Sequence, residues 1–264
     1  MPFFQYNELK LHYVDLDNRS DTSDGMLLLF IHGAGSSHIC WAIQLKEFSK
    51  NHRVVALDLS GHGSSERADN EASIDDGYVR EVETLVRHLN FGDFIMVGHS
   101  MGGGVAMSYM LHNYEVNPKA LVLVDTSPDL ELSKLAIGLV KETVDDRLFM
   151  LKSRHYEEYT DTYKIKRYED EVRMHHPAIM QRDLVACDKF DIRNRVSEID
   201  VPTFVIVGEH DDIIPPQVAL ELEKRLSHSD IAVVRNASHS PMIEQPEEFN
   251  RLLRKFVLWV KNNN

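Results

Sequence analysis

The stretch Phe94-Ile95-Met96-Val97-Gly98-His99-Ser100-Met101-Gly102-Gly103 decides the fold of this chain of 264 residues. Four apolar residues lead into the pattern G-x-S-x-G, and an apolar stretch with helical spacing, Val105 to Leu111, follows it. This order of strand, sharp turn and helix exposes a serine hydroxyl at the turn. Glycines two positions before and after the serine let the backbone pass close to its neighbours. The stretch therefore predicts a nucleophilic Ser100 after a buried strand.

Other apolar runs of strand length recur along the chain. They are continuous rather than alternating: Leu27–Ile31, Val54–Leu57, Ala120–Val124, Phe204–Val207 and Ile231–Val234. Such runs are typical of strands covered on both faces, as in a parallel sheet. Stretches with helical spacing lie between and after them: Val79–Leu89, Val218–Leu226 and Phe249–Phe256. This alternation predicts an α/β fold with a mostly parallel central sheet and helices on both faces.

Two segments depart from this rhythm. The first fifteen residues alternate apolar and polar side chains around Asn7-Glu8, which predicts an antiparallel hairpin at one sheet edge. From Ser127 to Glu198 the patterns are helical, and the segment is too long for a loop of a compact domain. We expect residues 1–126 and 199–264 to form the core, and residues 127–198 to form a helical cap, or lid, over one end of the sheet.

Composition excludes several functional classes. The chain has 29 Lys and Arg against 42 Asp and Glu, a net charge of −13 with histidine neutral. This acidic balance argues against nucleic acid and anionic membranes as partners, since both require a basic face. The longest apolar run, Met26–Ile31, is too short to span a bilayer, and no signal peptide is visible. We interpret Cys40 and Cys187 as reduced, buried thiols of a cytoplasmic protein.

The chain resembles the α/β-hydrolase superfamily, in its serine-nucleophile, esterase-like branch. Besides the Ser100 motif, four further motifs occur in the family's order: His32-Gly33-Ala34-Gly35, Asp58-Leu59-Ser60-Gly61-His62-Gly63, Gly208-Glu209-His210-Asp211 and Ala237-Ser238-His239. The resemblance covers nearly the whole chain and implies a cap domain in the segment before Val201. A serine nucleophile disfavours the dehalogenase and epoxide-hydrolase branches, which attack through a carboxylate.

A serine hydroxyl is a weak nucleophile until a base takes its proton and a carboxylate orients that base. Among 14 histidines, His239 is the best candidate for the base. It follows Ser100 in the order serine, acid, histidine, and it lies just after the last apolar run.

The resemblance favours Asp211 as the acid, because it has the family's Gly-x-x-Asp spacing from Gly208. Asp212 belongs to the same loop and is expected to point elsewhere. Asp125, at the end of the run Ala120–Val124, is the fallback, since some family members place the acid there.

We expect the oxyanion hole to use the backbone N–H groups of Met101 and Ala34. His32 and His62 are interpreted as structural residues. The substrate pocket is expected between sheet and cap. Its candidate lining residues are Gly35, Trp41, Ser127, Leu139, Phe149 and Tyr159.

Two patterns imitate cofactor or metal sites. The run Gly33–His38 approaches the dinucleotide pattern G-x-G-x-x-G, but a histidine stands where the third glycine should be. The pair His175-His176 has no second ligand pair at helical spacing. We therefore expect neither a cofactor nor a metal.

Ester hydrolysis requires only the triad, the oxyanion hole and water. The sequence therefore predicts a serine hydrolase that cleaves a carboxylic ester of a small to medium acyl substrate through an acyl-enzyme. The alternatives are a C–C bond hydrolase, a cofactor-free perhydrolase and a receptor that holds a small ligand. A C–C hydrolase acting on a dienoate would need cations in the pocket, for which the insertion offers Arg154, Arg167, Arg173 and Arg182. A solvated helix face is the simpler interpretation of these arginines.

Overall fold

The computed structural model describes residues 2–19, 25–67, 71–130 and 177–263. Within these ranges eight strands form one sheet. They are β1 (Phe3–Tyr6), β2 (Leu9–Leu16), β3 (Leu27–Ile31), β4 (Arg53–Leu57), β5 (Phe94–His99), β6 (Ala120–Val124), β7 (Thr203–Gly208) and β8 (Ser229–Val234). Their order is β1-β2-β4-β3-β5-β6-β7-β8. β1 and β2 pair antiparallel and the later strands pair in parallel with one another, which confirms the predicted sheet and its N-terminal hairpin.

Seven α-helices lie within the same ranges. They are α1 (Ala42–Phe48), α2 (Val79–His88), α3 (Met101–Leu111), α4 (Pro177–Asp188), α5 (Pro216–Arg225), α6 (Pro241–Glu244) and α7 (Pro246–Asn263). Proline in the first turn suits a helix start, because its missing N–H would have no partner there. The helices predicted over Val218–Leu226 and Phe249–Phe256 are confirmed as α5 and α7, each of which begins at a proline.

The core has two layers, one on each face of the sheet. Strand side chains alternate, so Leu29 and Ile31 of β3 face one layer while Leu28 and Phe30 face the other. Helices α2, α3 and α5 cover the first layer, and α1 and α7 cover the second. This double covering explains why the central strands are continuously apolar.

Strand β8 differs from the prediction. Its apolar run was expected to be covered on both faces, but only Val234 is fully buried, and Val233 is 45% exposed. The reason is topological: β8 is the last strand of the sheet, so part of its surface meets solvent.

Residues 131–176 lie outside the described ranges, so the predicted cap is described only at its two ends. The pocket candidates Leu139, Phe149 and Tyr159 lie outside the described residues, as do Arg154, Arg167, Arg173 and the pair His175-His176. At the described ends, a β-bridge joins Asp129 to Asp191, and α4 places Ala186 and Cys187 in the first core layer. Cys40 and Cys187 are both buried free thiols. Among the helices described, none is long and apolar enough to cross a membrane.

Asp58 follows β4 and joins three parts of the chain. Its carboxylate accepts hydrogen bonds from Nδ1 of His12 at 2.6 Å and of His38 at 2.9 Å. The backbone N–H groups of His38 and Ser64 also donate to it, at 2.7 and 3.1 Å. Burial opposes the charged form, but the two histidines outweigh it and hold the pKa of Asp58 well below its ordinary value.

Replacing Asp58 with asparagine is expected to lower the free energy of unfolding at neutral pH by about 1–3 kcal/mol, because buried donors lose their charged acceptor. Since folding lowers the pKa of Asp58, its carboxylate stabilises the fold at neutral pH, and this stabilisation fades as the pH falls below about 4. The difference in the free energy of unfolding between wild type and Asp58→Asn should therefore shrink on acidification, as urea denaturation measures. The exposed Asp93→Asn is the control and should change little. If the difference in the free energy of unfolding did not change with pH, the stabilising role of the charged Asp58 carboxylate would be contradicted.

Candidate active site

Ser100 occupies the sharp turn between β5 and α3. Its backbone has φ 53° and ψ −119°, a region that residues with a Cβ rarely adopt. Hydrogen bonds hold the turn: Ser100 N–H donates to the carbonyl of Val124 at 2.9 Å, and the Ser100 carbonyl accepts from Gly103 N–H at 2.9 Å, Gly104 N–H at 3.3 Å and Thr126 Oγ1 at 2.8 Å. The surrounding strands therefore impose this conformation on the serine.

The glycines around Ser100 are required by close packing. A Cβ on Gly98 would lie 2.2 Å from the carbonyl oxygen of Gly102. A Cβ on Gly102 would lie 2.5 Å from the carbonyl oxygen of Ile31 and 2.6 Å from that of His32. All of these are backbone atoms within the sheet or the turn, so they cannot rotate away. This is the close approach that the spacing G-x-S-x-G predicts.

The structure brings together the three side chains that the sequence singled out. His239 lies in the loop between β8 and α6, and its Nε2 is 3.1 Å from Ser100 Oγ. Its Nδ1 is 2.7 Å from Oδ2 of Asp211, which lies in the loop between β7 and α5. A proton on Nδ1, donated to Asp211, leaves Nε2 as the acceptor facing the serine hydroxyl. The arrangement can thus move a proton from Ser100 to His239.

Asp211 is oriented by its own loop. Its Oδ1 accepts hydrogen bonds from the backbone N–H groups of Ile213 at 2.8 Å and Ile214 at 3.0 Å. Burial alone would raise the pKa of Asp211, but His239 and the Ile214 N–H outweigh it and leave the pKa below its ordinary value. Asp211 is therefore an anion at neutral pH. Its neighbour Asp212 is exposed to solvent, as expected for a residue that points away from the site.

Asp125, the fallback acid of the sequence analysis, lies behind Asp211. It is fully buried at the end of β6 with φ 44°, and its Oδ1 accepts a hydrogen bond from Gly208 N–H at 2.8 Å. Burial, and then the charge of Asp211, raises the pKa of Asp125 well above its ordinary value. No described residue is a hydrogen-bond partner of Asp125 Oδ2, and ligand atoms of Asp125, Asp211 and His239 lie within 4.8 Å of one another. Two buried carboxyl groups this close do not both ionise, so Asp125 is the one that keeps its proton.

The backbone of His239 is held on both sides by residues to which the sequence analysis assigned no role. The Glu244 carboxylate accepts from Ser238 N–H at 2.7 Å and from Ser240 N–H at 2.9 Å. The Nε2–H of His99 donates to the His239 carbonyl at 2.6 Å. Burial, then the nearby His239, lowers the pKa of His99 to about 3, so His99 is neutral. Along the sequence, His99 is next to Ser100 and Glu244 lies five residues after His239, and only this closeness could have pointed to the two residues.

The predicted oxyanion donors lie on the two backbone segments beside Ser100. Met101 is the first residue of α3, whose N-terminus favours negative charge and is not capped by the Ser100 side chain. Ala34 belongs to the loop after β3, and a Cβ on Gly33 in this loop would lie 3.1 Å from Cβ of Ser100. Gly35 has φ 53°, and its N–H donates to Oδ2 of Asp183 at 2.6 Å.

The other described candidates make core or loop contacts. Trp41 is fully buried, with its ring centroid 5.1 Å from that of Phe30 and 6.2 Å from that of Phe249. The buried Ser127 accepts a hydrogen bond from Asp129 N–H at 3.3 Å.

His32 holds the loop after β3, in agreement with its structural interpretation. Its Nδ1 lies 2.8 Å from the carbonyl oxygen of Gly33, and its Nε2 accepts a hydrogen bond from Leu59 N–H at 3.2 Å. Burial lowers the pKa of His32 to about 3, so the ring is neutral.

Two described clusters have the donor types of a metal site, with ligand atoms within 4.8 Å of one another: His12, His38 and Asp58, and Asp125, Asp211 and His239. Asp58 already accepts hydrogen bonds from both imidazoles of its cluster, whereas in the second cluster Asp211 accepts one from His239 and Asp125 accepts one from Gly208 N–H. Direct hydrogen bonding therefore accounts for both clusters.

Comparison with known proteins gives a consistent result. A model described as "Alpha/beta hydrolase family" matches residues 28–252. The AB hydrolase superfamily protein YisY of Bacillus subtilis is 25% identical, over 93% of this chain and 98% of that protein. A 2-hydroxy-6-oxononadienedioate/2-hydroxy-6-oxononatrienedioate hydrolase of Burkholderia vietnamiensis is 28% identical, over 95% of this chain and 91% of that protein. The solved structure of a thermophilic esterase is 32% identical with a TM-score of 0.78, covering 98% of this chain and 97% of that one.

Substituting Gly102 with alanine is expected to lower the free energy of unfolding by about 1–3 kcal/mol, because the new Cβ meets backbone carbonyl oxygens that cannot move. The same clash displaces Ser100, so activity should fall as well. Gly92→Ala is the matched control, since a Cβ there has nothing within 4 Å. Chemical denaturation measures the comparison, and equal stabilities would contradict the packing argument.

The proton on Asp125 predicts an asymmetry between two substitutions. Asp125→Asn keeps an uncharged side chain beside Asp211 and an acceptor for Gly208, so kcat should stay within about threefold of wild type. Asp125→Leu leaves Gly208 N–H without its acceptor and should lower the free energy of unfolding by about 1–3 kcal/mol. Steady-state kinetics and urea denaturation test both variants. A large loss of kcat in Asp125→Asn would mean that Asp125 acts as an anion.

Proposed function

The chain belongs to the alpha/beta hydrolase family, and from this premise we propose that it is a serine hydrolase that cleaves carboxylic esters of small to medium acyl groups. One observation carries the proposal: a buried anion, Asp211, orients His239, whose Nε2 lies 3.1 Å from Ser100 Oγ. This is the arrangement by which a neutral serine hydroxyl becomes a nucleophile.

The proposed reaction has two halves. Ser100 Oγ attacks the ester carbonyl carbon while His239 Nε2 takes its proton, and the N–H groups of Ala34 and Met101 stabilise the resulting oxyanion. The intermediate collapses as His239 returns the proton to the leaving alcohol, and an acyl-enzyme remains. His239 then takes a proton from water as the water attacks the acyl carbonyl, and it returns this proton to Ser100 Oγ as the acid leaves. Asp211 stabilises the imidazolium in both halves.

The rest of the setting is proposed with the activity. Residues 127–198 form the cap over Ser100, and a small-molecule ester enters between cap and sheet. The acidic surface, with a net charge of −13, favours neither nucleic acid nor anionic membranes as partners. The buried free thiols of Cys40 and Cys187 suit a reducing cytoplasm.

A C–C bond hydrolase is the second candidate, because one relative carries the name of a hydrolase of dienedioate compounds. Such a substrate needs a cation to bind its carboxylates. Of the four arginines offered by the insertion, Arg182 is the one that lies within the described residues. Its guanidinium donates to Ser60 Oγ at 2.9 Å and lies 5.7 Å above the Tyr78 ring. These contacts hold the Arg182 guanidinium against other residues of the protein, which favours an ester over a dienedioate as the substrate.

The first test is steady-state hydrolysis of p-nitrophenyl esters from acetate to dodecanoate. Wild type should show multiple turnover, and Ser100→Ala should lose at least about 1,000-fold in kcat, because no other group supplies the nucleophile. The acyl chain with the highest kcat/KM measures the pocket. Turnover that persists in Ser100→Ala would place hydrolysis elsewhere. A folded wild type without turnover would favour the C–C hydrolase or a receptor.

The acid is tested by two neighbouring substitutions. Asp211→Asn should lower kcat by about 100- to 10,000-fold, because asparagine neither holds the required tautomer of His239 nor stabilises its charge. Asp212→Asn is the control in the same loop and should stay within about twofold, since its side chain is exposed. Equal effects of the two substitutions would contradict the assignment of Asp211.

A further inference from the structure

Asp183 of α4 is a fully buried carboxylate that joins three separate parts of the chain. Its Oδ2 accepts hydrogen bonds from Gly35 N–H at 2.6 Å and from Nε2 of His62 at 2.7 Å. Its Oδ1 accepts from the hydroxyl of Tyr78. Gly35 belongs to the loop after β3, His62 to the loop after β4, and Tyr78 to the turn that precedes α2. None of the steps proposed above for ester hydrolysis involves Asp183.

The contact to Gly35 is a hydrogen bond to a charged acceptor. Burial alone would raise the pKa of Asp183, but His62 and the Tyr78 hydroxyl outweigh it and leave the pKa below its ordinary value. Burial alone would lower the pKa of His62, but the charge of Asp183 outweighs it and leaves the pKa raised. The two buried residues therefore stabilise each other's charged form. Hydrogen bonds to a charged acceptor are about twice as strong as neutral ones.

The loop that Asp183 holds lies directly against the nucleophile. A Cβ on Gly33 would be 3.1 Å from Cβ of Ser100. Gly35 is two residues further along, with the left-handed φ of 53° that favours glycine. The hydrogen bond from its N–H fixes the peptide plane between Ala34 and Gly35. The next plane towards the N-terminus, between Gly33 and Ala34, carries the Ala34 N–H and meets the first at Ala34 Cα, so fixing one plane limits the rotation of the other.

The residue before Asp183 fastens α4 to the same region. Arg182 donates to Ser60 Oγ, and Ser60 N–H in turn donates to the buried Glu81 carboxylate at 2.8 Å. Two consecutive residues of α4 thus dock onto the loop after β4. The orientation of Asp183 toward Gly35 is therefore set by how α4 sits on the core.

We infer that Asp183 is a positioning residue for hydrolysis, which fixes the Gly33–Gly35 loop so that Ala34 N–H faces the oxyanion. The oxyanion hole then forms only while α4 is docked on the core. This inference rests on the proposed function, because it concerns the stabilisation of the same tetrahedral intermediate.

The test compares Asp183→Ala with Asp188→Ala, an exposed aspartate on the same helix. With p-nitrophenyl butyrate as substrate, Asp183→Ala should lower kcat by about 10- to 100-fold while KM changes by less than about threefold, since misplacing a donor weakens transition-state binding. A propyl trifluoromethyl ketone, which forms the tetrahedral adduct with serine, should lose affinity by a similar factor. Asp188→Ala should match wild type. Asp183→Asn keeps a carbonyl oxygen for Gly35 and should restore most of kcat.

Hydrogen exchange provides a readout that does not depend on turnover. The amide of Gly35 should exchange about 10-fold or more faster in Asp183→Ala than in wild type, with no change in Asp188→Ala. Circular dichroism verifies folding. If Asp183→Ala does not fold, Asp183→Ser replaces it, because its hydroxyl is too short to reach Gly35.

The outcomes separate the inference from the function. If wild type turns over the ester, and Asp183→Ala keeps wild-type kcat, ketone affinity and Gly35 exchange, the positioning role is wrong. Equal losses in Asp183→Ala and Asp183→Asn would also overturn it, because asparagine preserves the acceptor. If wild type neither hydrolyses the ester nor binds the ketone, the proposed function fails instead.

Discussion

The left-handed backbone at Ser100 is the constraint on which the rest of the site depends. A residue with a Cβ is held in this conformation only because the ends of β5 and β6 and the start of α3 surround it. The same geometry forces glycine at positions 98 and 102, where any side chain would meet backbone carbonyl oxygens. It also brings α3 close to β3, so that the loop after β3 lies over the nucleophile. The position of the predicted oxyanion donors thus follows from the turn.

Behind this turn, buried polar groups are arranged so that each charge has a partner. Asp211 receives hydrogen bonds from His239 and from two backbone N–H groups, while burial and the charge of Asp211 raise the pKa of the neighbouring Asp125. Asp183 receives them from His62, Tyr78 and Gly35. Such groups are expensive to bury but need little reorganisation once they are in place. The proposed hydrolysis would be supported by such fixed dipoles around Ser100.

Several parts of the fold could be predicted because local signals suffice for them. The runs Leu27–Ile31 and Ala120–Val124 are apolar throughout, since both faces of their strands are covered. The apolar run Ile231–Val234 carries the same signal, yet β8 is half-covered. The residues of one strand do not reveal whether that strand lies at the centre or at the edge of the sheet. The meeting of Ser100 and His239 could also be predicted, since chain order and position after a strand limit the choice.

The sequence by itself determined the α/β alternation, the turn at Ser100 and the candidates His239 and Asp211, because each depends on local pattern and order along the chain. It left Asp125 as a rival acid and assigned Asp183 no role. Only the tertiary structure decided that Asp211 contacts His239 while Asp125 lies behind it, and that Asp183 reaches Gly35, 148 positions away in the chain. The physical reason is that protonation and partner choice of buried groups depend on which charges meet in three dimensions, and sequence spacing carries no record of these meetings.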